Sequence, residues 1–280
     1  MIMMKRNRTL IMMLCAAVCI LALCGCSKAE EVKSMFDPGS KLDIEYGMTV
    51  LDADSQDETI GIVVTNNNDK AASSVMLNLT PYDAEGNVMT YSEGGSEAGS
   101  SAEILLEISY IMPGEKAGLV VNDIPDLERS PDHVDVTVDD CKWLDESKVP
   151  EGDVAITDFD FNAEKNSAVV SLKNTTDFTY DLNDLLGVYT LSVGVIGYDA
   201  EGRIVGGDSS AIEYLGPDSE ITEELYFGEK LYGTEAVTYE PYVKRDDFIP
   251  DPAARYYDSN GKEYTAKEVE EYLENRDKAK

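Results

Sequence analysis

Along most of the chain, apolar and polar residues alternate with a period of two. Val75, Leu77 and Leu79 form one such series, and Leu191, Val193 and Val195 form another. Successive side chains of a strand point to opposite faces, so the alternation predicts strands with one face buried and the other in water. The runs are short and bounded by turn chemistry. Tyr82-Asp83-Ala84-Glu85-Gly86 closes one of them and Tyr198-Asp199-Ala200-Glu201-Gly202 closes another. Asp suits the start of a type I turn, and Gly supplies the left-handed residue that follows it. Polar loops, Asn66-Asn67-Asn68-Asp69 and Asn174-Thr175-Thr176-Asp177, follow two further strands.

These elements recur in the same order, and the two Tyr-Asp-Ala-Glu-Gly turns lie 116 residues apart. Ile62-Val63-Val64-Thr65-Asn66 matches Val170-Ser171-Leu172-Lys173-Asn174, and Tyr110-Ile111-Met112-Pro113-Gly114 matches Tyr214-Leu215-Gly216-Pro217-Asp218. The chain therefore reads as an internal duplication. About six or seven short strands per copy predict an antiparallel β-sandwich of immunoglobulin-like size, with an open barrel as the nearest competitor. The expected fold class is all-β: two tandem antiparallel immunoglobulin-like β-sandwiches plus a short C-terminal hairpin and helix. The expected sandwiches span 41–149 and 150–245, with Pro150-Glu151-Gly152 at their boundary.

Residues 246–280 read as a Pro250/Pro252 linker, a hairpin around Asn260-Gly261 and a helix. Thr265-Ala266-Lys267-Glu268 is a capping box, and Val269, Tyr272 and Leu273 give that helix one apolar stripe; it is expected to dock on the second sandwich or fray, with a partner-binding helix as the alternative. The copies differ most in their loops. The first carries a Gly/Ser/Glu stretch between Tyr91 and Ala102. The second carries an apolar loop, 178–186, apolar enough to pack down or to present a patch, in which case Phe178, Tyr180, Leu182 and Leu185 form a candidate contact surface. The turns at Asp83 and Asp199 and the loops after Asn66 and Asn174 are further candidates.

The first 25 residues have a different character. Lys5, Arg6 and Arg8 precede 14 apolar residues, Leu10–Leu23, a run too short for a comfortable membrane span and suited to an export signal. Leu23-Cys24-Gly25-Cys26 follows. This tetrapeptide resembles the lipobox of bacterial lipoproteins. The resemblance implies cleavage before Cys26, a diacylglycerol on its thiol, and residence on the extracytoplasmic face of the cell membrane with residues 26–40 as a tether. Two acyl chains suffice for stable attachment to a bilayer. An ordinary cleaved signal is the alternative.

Leu79-Thr80-Pro81-Tyr82-Asp83 and Val195-Ile196-Gly197-Tyr198-Asp199 also resemble the strand end that names the FxLYD family of exported bacterial β-sandwich domains. The Tyr and Asp positions match; the Phe and Leu positions do not. The resemblance implies an extracytoplasmic sandwich and carries over no catalytic residue.

Composition narrows the function classes. The 280 residues include 55 acidic and 23 basic side chains, a formal charge of −32. Cleavage before Cys26 would take this to −35, because the removed segment holds three basic residues and no acidic one. Nucleic-acid binding needs a basic face and is excluded as an expectation. His133 is the single histidine, so a catalytic triad or a histidine metal site would hinge on it alone. Cys141 reads as a buried strand-end thiol. Asp139-Asp140 and Asp158/Asp160 read as solvated acidic faces, with calcium at a domain junction as the alternative. No metal or cofactor is expected. The functional expectation is a non-catalytic binding or scaffold module whose partners are the bilayer, through Cys26, and an envelope protein or polymer. The competing readings are an envelope hydrolase using paired carboxylates and the solute-binding component of a transporter.

Overall fold

The computed structural model describes residues 41–52, 57–92, 99–144, 152–182, 189–227, 231–247, 255–257, 262–265, 267–269 and 271–272. Six strands come first: β1 (Leu42–Asp52), β2 (Asp57–Asn66), β3 (Ala72–Tyr82), β4 (Ile104–Ile111), β5 (Lys116–Asn122) and β6 (His133–Trp143). They form two antiparallel sheets, ordered β1-β2-β5 and β4-β3-β6. Then come β7 (Val154–Asn162), β8 (Ser167–Asn174), β9 (Tyr180–Asp181), β10 (Tyr189–Tyr198), β11 (Ile204–Ala211), β12 (Tyr214–Leu215), β13 (Glu220–Tyr226) and β14 (Thr238–Asp247). Their main sheets are ordered β7-β8-β13 and β11-β10-β14, and β9 pairs with β12.

The duplication is therefore visible strand by strand. β1-β2-β5 corresponds to β7-β8-β13, and β4-β3-β6 corresponds to β11-β10-β14. The registers agree: Leu42 faces Asn66 as Val154 faces Asn174, and Thr65 faces Lys116 as Lys173 faces Glu220. The fold is an all-β array of antiparallel sandwiches, and the β9/β12 pair is an addition found in the second copy.

Each copy closes over its own interior. Ile60, Ile62, Val64, Val75, Leu77, Leu79 and Ile108 pack together in the first. Val170, Leu172, Leu191, Val193, Val195, Ile212 and Leu225 do so in the second. Full burial of one such side chain contributes about 1.5–3 kcal/mol. A third, smaller apolar cluster joins Val63 to Ile196, Ile204 and Tyr242 and so spans the two copies. Leu42–Lys280 accordingly form one compact unit. β2 shows the consequence directly. Its residues Glu58 to Val64 are all buried, whereas β8 alternates between buried and accessible positions. A strand covered on both faces needs an unbroken apolar run, which Ile60 to Val64 provides with Gly61 inside it.

At the C-terminus, β15 (Arg255–Tyr257) pairs with β16 (Glu263–Thr265), and residues 267–269 and 271–272 are helical. The capping box forms as its sequence requires. Thr265 N–H donates to Glu268 Oε2 at 2.8 Å, and Glu268 N–H donates to Thr265 Oγ1 at 3.3 Å. Val269 is fully buried in the second core, with Tyr264 and Tyr272 against it.

Candidate functional site

The recurring turn is built identically in both copies. Asp83 Oδ1 accepts from Glu85 N–H (3.0 Å) and Asn87 N–H (2.8 Å), and Asp199 Oδ1 accepts from Glu201 N–H (3.0 Å) and Arg203 N–H (2.9 Å). Gly86 and Gly202 take the left-handed conformation, φ 80° and 79°. These hydrogen bonds, first among them the N–H of Asn87 and of Arg203 respectively, hold both carboxyls below the usual range. The side-chain surroundings diverge. Arg203 Nε donates to Asp199 Oδ2 at 2.7 Å, whereas Asp83 has the neutral Asn87 amide at that place. Tyr82 stacks on His133 with ring centroids 4.9 Å apart, and Tyr198 hydrogen-bonds Tyr242 through its hydroxyl at 2.9 Å.

Asn66 and Asn174 are internal pins, not contact groups. Each is fully buried. Asn66 Nδ2 donates to the carbonyls of Lys70 and Ile111, both at 2.8 Å, and Asn174 Nδ2 donates to those of Phe178 and Gly216, both at 2.9 Å. Their Oδ1 atoms accept from Asn68 N–H and Thr176 N–H. An Asn that satisfies two distant carbonyls and closes its own loop explains why the residue recurs.

The apolar loop of the second copy packs down where it is described. Tyr180 is fully buried in the second core and Phe178 is half-buried beside it. Among the described residues of the loop only Leu182 is exposed, next to exposed Tyr214. Leu185 and Cys26 lie outside the described residues, as does the Asn260-Gly261 turn. The Cys141 thiol is buried, and desolvation pushes it up to about 11.

Two regions go beyond the sequence reading, which names only the Asp83 turn of the second. The first is the seam between the copies. Gly47, Gly61 and Gly118 of the first copy lie against the second so closely that a Cβ would stand 1.8 Å from Ile204 O, 2.7 Å from Gly206 O and 2.5 Å from the Tyr242 ring. Gly206 and Gly207 reciprocate against Thr59 and Val120. Thr59 Oγ1 donates to Gly207 O at 2.5 Å and accepts from Gly207 N–H at 2.9 Å, and Thr49 Oγ1 donates to Val205 O at 2.6 Å. At one end of the seam is a cleft of about 280 Å³. There buried Arg245 meets Asp153 at 2.9 Å and lies over the Tyr110 ring of the first copy. Burial pushes the nearby Glu115 carboxyl above its usual range.

The second region is the loop end of the first sandwich. Two open clefts, about 370 and 260 Å³, share Asp83 and Arg129 as a common wall. Val88, Tyr91, Ser92 and Glu128 line the larger one. The loop that carries Arg129 is held from beneath by Glu58, a carboxylate with no exposure at all. Glu58 Oε1 accepts from Ile124 N–H at 2.7 Å, and Oε2 accepts from the Ser130 hydroxyl at 2.5 Å. Ile124 and Leu127 plug into the first core, Asp123 and Asp126 take left-handed φ of 57° and 61°, and Ser92 N–H ties the loop to the opposite wall through Asp126 O. Burying a carboxylate costs several kcal/mol unless hydrogen bonds offset it, so this one is spent on fixing a loop. At the corresponding place in the second copy, eight residues before its buried Asn, stands Asn166.

No family model and no curated protein sequence matches the chain. Among solved structures it is similar to the crystal structure of red sea bream transglutaminase. That similarity amounts to 12% identity and a TM-score of 0.25 over 74% of this chain and 29% of the other. A likeness this loose assigns neither a family nor an activity.

Proposed function

We propose that the protein is a lipoprotein of the extracytoplasmic membrane face, anchored through diacylglyceryl Cys26, whose two-sandwich body is a non-catalytic binding or scaffold module of the cell envelope. The order of Lys5, Arg6 and Arg8, an apolar run and Leu23-Cys24-Gly25-Cys26 supports the anchor. The observation that carries the binding half is the buried Glu58. A fold gains nothing in its core from a desolvated carboxylate, but it gains a preorganised loop beside a groove. The glycine seam adds stiffness, which suits a module that presents a surface at a set distance from a membrane.

Expression in a bacterial host fed an alkyne-tagged palmitate tests the anchor. The wild-type chain is expected to take up the label and sediment with membranes, and Cys26→Ala to do neither. An unlabelled wild type, or a labelled Cys26→Ala chain, contradicts the assignment.

A further inference from the structure

We propose that the groove over Asp83 and Arg129 seats a neutral, hydroxyl-rich saccharide chain. The inference rests on the binding-module reading and names its ligand class. Its first support is the pairing of opposite hydrogen-bonding characters on one wall. Asp83 Oδ1 is taken up by its own turn, while Oδ2 accepts only from the Asn87 amide at 3.1 Å and keeps a lone pair for a ligand; Arg129 offers a guanidinium, which only donates. Arg129 is exposed, and among the described residues it forms no ion pair, while its charge still reaches Asp83. A sugar hydroxyl both donates and accepts, so vicinal hydroxyls satisfy such a wall, whereas a purely cationic or purely anionic ligand satisfies half of it.

Shape and charge narrow the class. The two clefts share this pair of side chains, so a ligand that fills both extends past the pair on either side. That favours an elongated chain over a single ring. Val88, Met89 and Tyr91 supply an apolar strip along the larger cleft, and the Tyr91 hydroxyl is tied back to Glu103 O at 3.0 Å, which fixes its ring. Sugar rings present C–H faces to such strips while their hydroxyls meet the polar wall. A net charge of −32 repels polyanions, and Glu128 stands on the same wall, so an uncharged chain meets the least opposition.

The comparison between copies makes the site specific to the first. In the second, Arg203 folds back on Asp199 through Nε and Nη2, each 2.7 Å from Oδ2, so donor and acceptor consume one another. In the first, Asp83 holds only the neutral Asn87 amide at that place, Arg129 comes from a different loop and keeps its guanidinium apart from Asp83, and Glu58 fixes the loop that carries Arg129.

The test is calorimetric titration of the full-length chain in detergent micelles with four hexasaccharides. Three are neutral (cellohexaose, maltohexaose and the N-acetylglucosamine hexamer) and hexagalacturonate is the anionic control. At least one neutral hexamer is expected to bind. Loss of two or three charge-assisted hydrogen bonds makes Arg129→Ala weaken that binding by about tenfold or more. Because Arg129 is exposed, the variant keeps the wild-type melting temperature, and Arg203→Ala in the second copy binds as wild type. The proposal is overturned if no neutral hexamer titrates, if Arg129→Ala binds unchanged, or if hexagalacturonate binds more tightly than every neutral chain. Each of those results leaves palmitate labelling at Cys26 untouched, so failure here is distinct from failure of the lipoprotein reading.

Discussion

The outer faces of β1-β2-β5 and β7-β8-β13 come from the same three strands of a duplicated unit and have opposite fates. The first is buried against the second copy; the second meets solvent. Counting back from the buried Asn of each copy, Gly61 corresponds to Val169 and Val63 to Ser171, and the facing strands make Gly118 the counterpart of Thr222. Across the other neighbour, Gly47 pairs with Gly61 where Asp160 pairs with Val169. The first face became a seam chiefly by losing side chains. Ordinary sheets stack about 10 Å apart with side chains interleaved. Here glycines bring backbone against backbone, and hydroxyls such as Thr59 Oγ1 satisfy the carbonyl and N–H groups that this approach desolvates. The second face keeps Asp160, Ser171, Thr222 and Glu224, whose burial would strand charge.

The largest effect is therefore expected at the seam. Gly61→Val places a branched side chain where even a Cβ comes within 2.7 Å of Gly206 O, and it should cost about 3 kcal/mol or more, read by denaturant unfolding. Its counterpart, Val169→Gly on the solvent face, should cost about 1 kcal/mol. Equal costs at the two positions would erase the distinction drawn between the faces.

Next comes Glu58→Ala, which strips two hydrogen bonds and leaves Ile124 N–H without its acceptor. A loss of about 3 kcal/mol is expected, with faster amide exchange across 123–130. Slow exchange in that loop after substitution would show that Glu58 does not organise it.

Asn66→Ala and Asn174→Ala should each cost about 2 kcal/mol, and by similar amounts, because the two pins make matching bonds in the two copies. A tolerated substitution at either one would break the symmetry.

The smallest effect is electrostatic and sits at the seam's cleft. Burial, reinforced by Asp153 and opposed by the Met112 N–H and Arg245, holds Glu115 above its ordinary range. The folded state then binds this proton more tightly than the unfolded chain. Stability from this group is complete below the ordinary glutamate range and declines as pH rises through the raised value. Glu115→Gln should flatten that decline in melting temperatures measured from pH 4 to 8; an unchanged profile would contradict the assignment.

Much of the architecture was legible because its signals are local. Period-two alternation marked the strands, the Tyr-Asp-Ala-Glu-Gly pair marked equivalent hairpins, and Thr265-Ala266-Lys267-Glu268 marked the terminal cap. Of the candidate site only the Asp83 turn was legible. Glu58 acts on residues 66 and 72 positions away, and Arg129 faces Asp83 only after two loops meet. The seam left one trace, the unbroken Ile60-Gly61-Ile62-Val63-Val64 run, which breaks the alternation of its partner Val170-Ser171-Leu172. The apolar content of 178–186 allowed either packing down or a surface patch, and the added β9/β12 pair decides it by turning Tyr180 inward.

The central claim is that the glycine seam couples two separately closed cores into one cooperative body. Native-state hydrogen exchange of the full-length chain, followed at amides of Ile62 in the first core and Val193 in the second across a denaturant series, tests it most directly. Both amides are expected to lose protection together, with one free energy of opening, in the wild type. Separate losses, one core opening while the other stays protected, would contradict it.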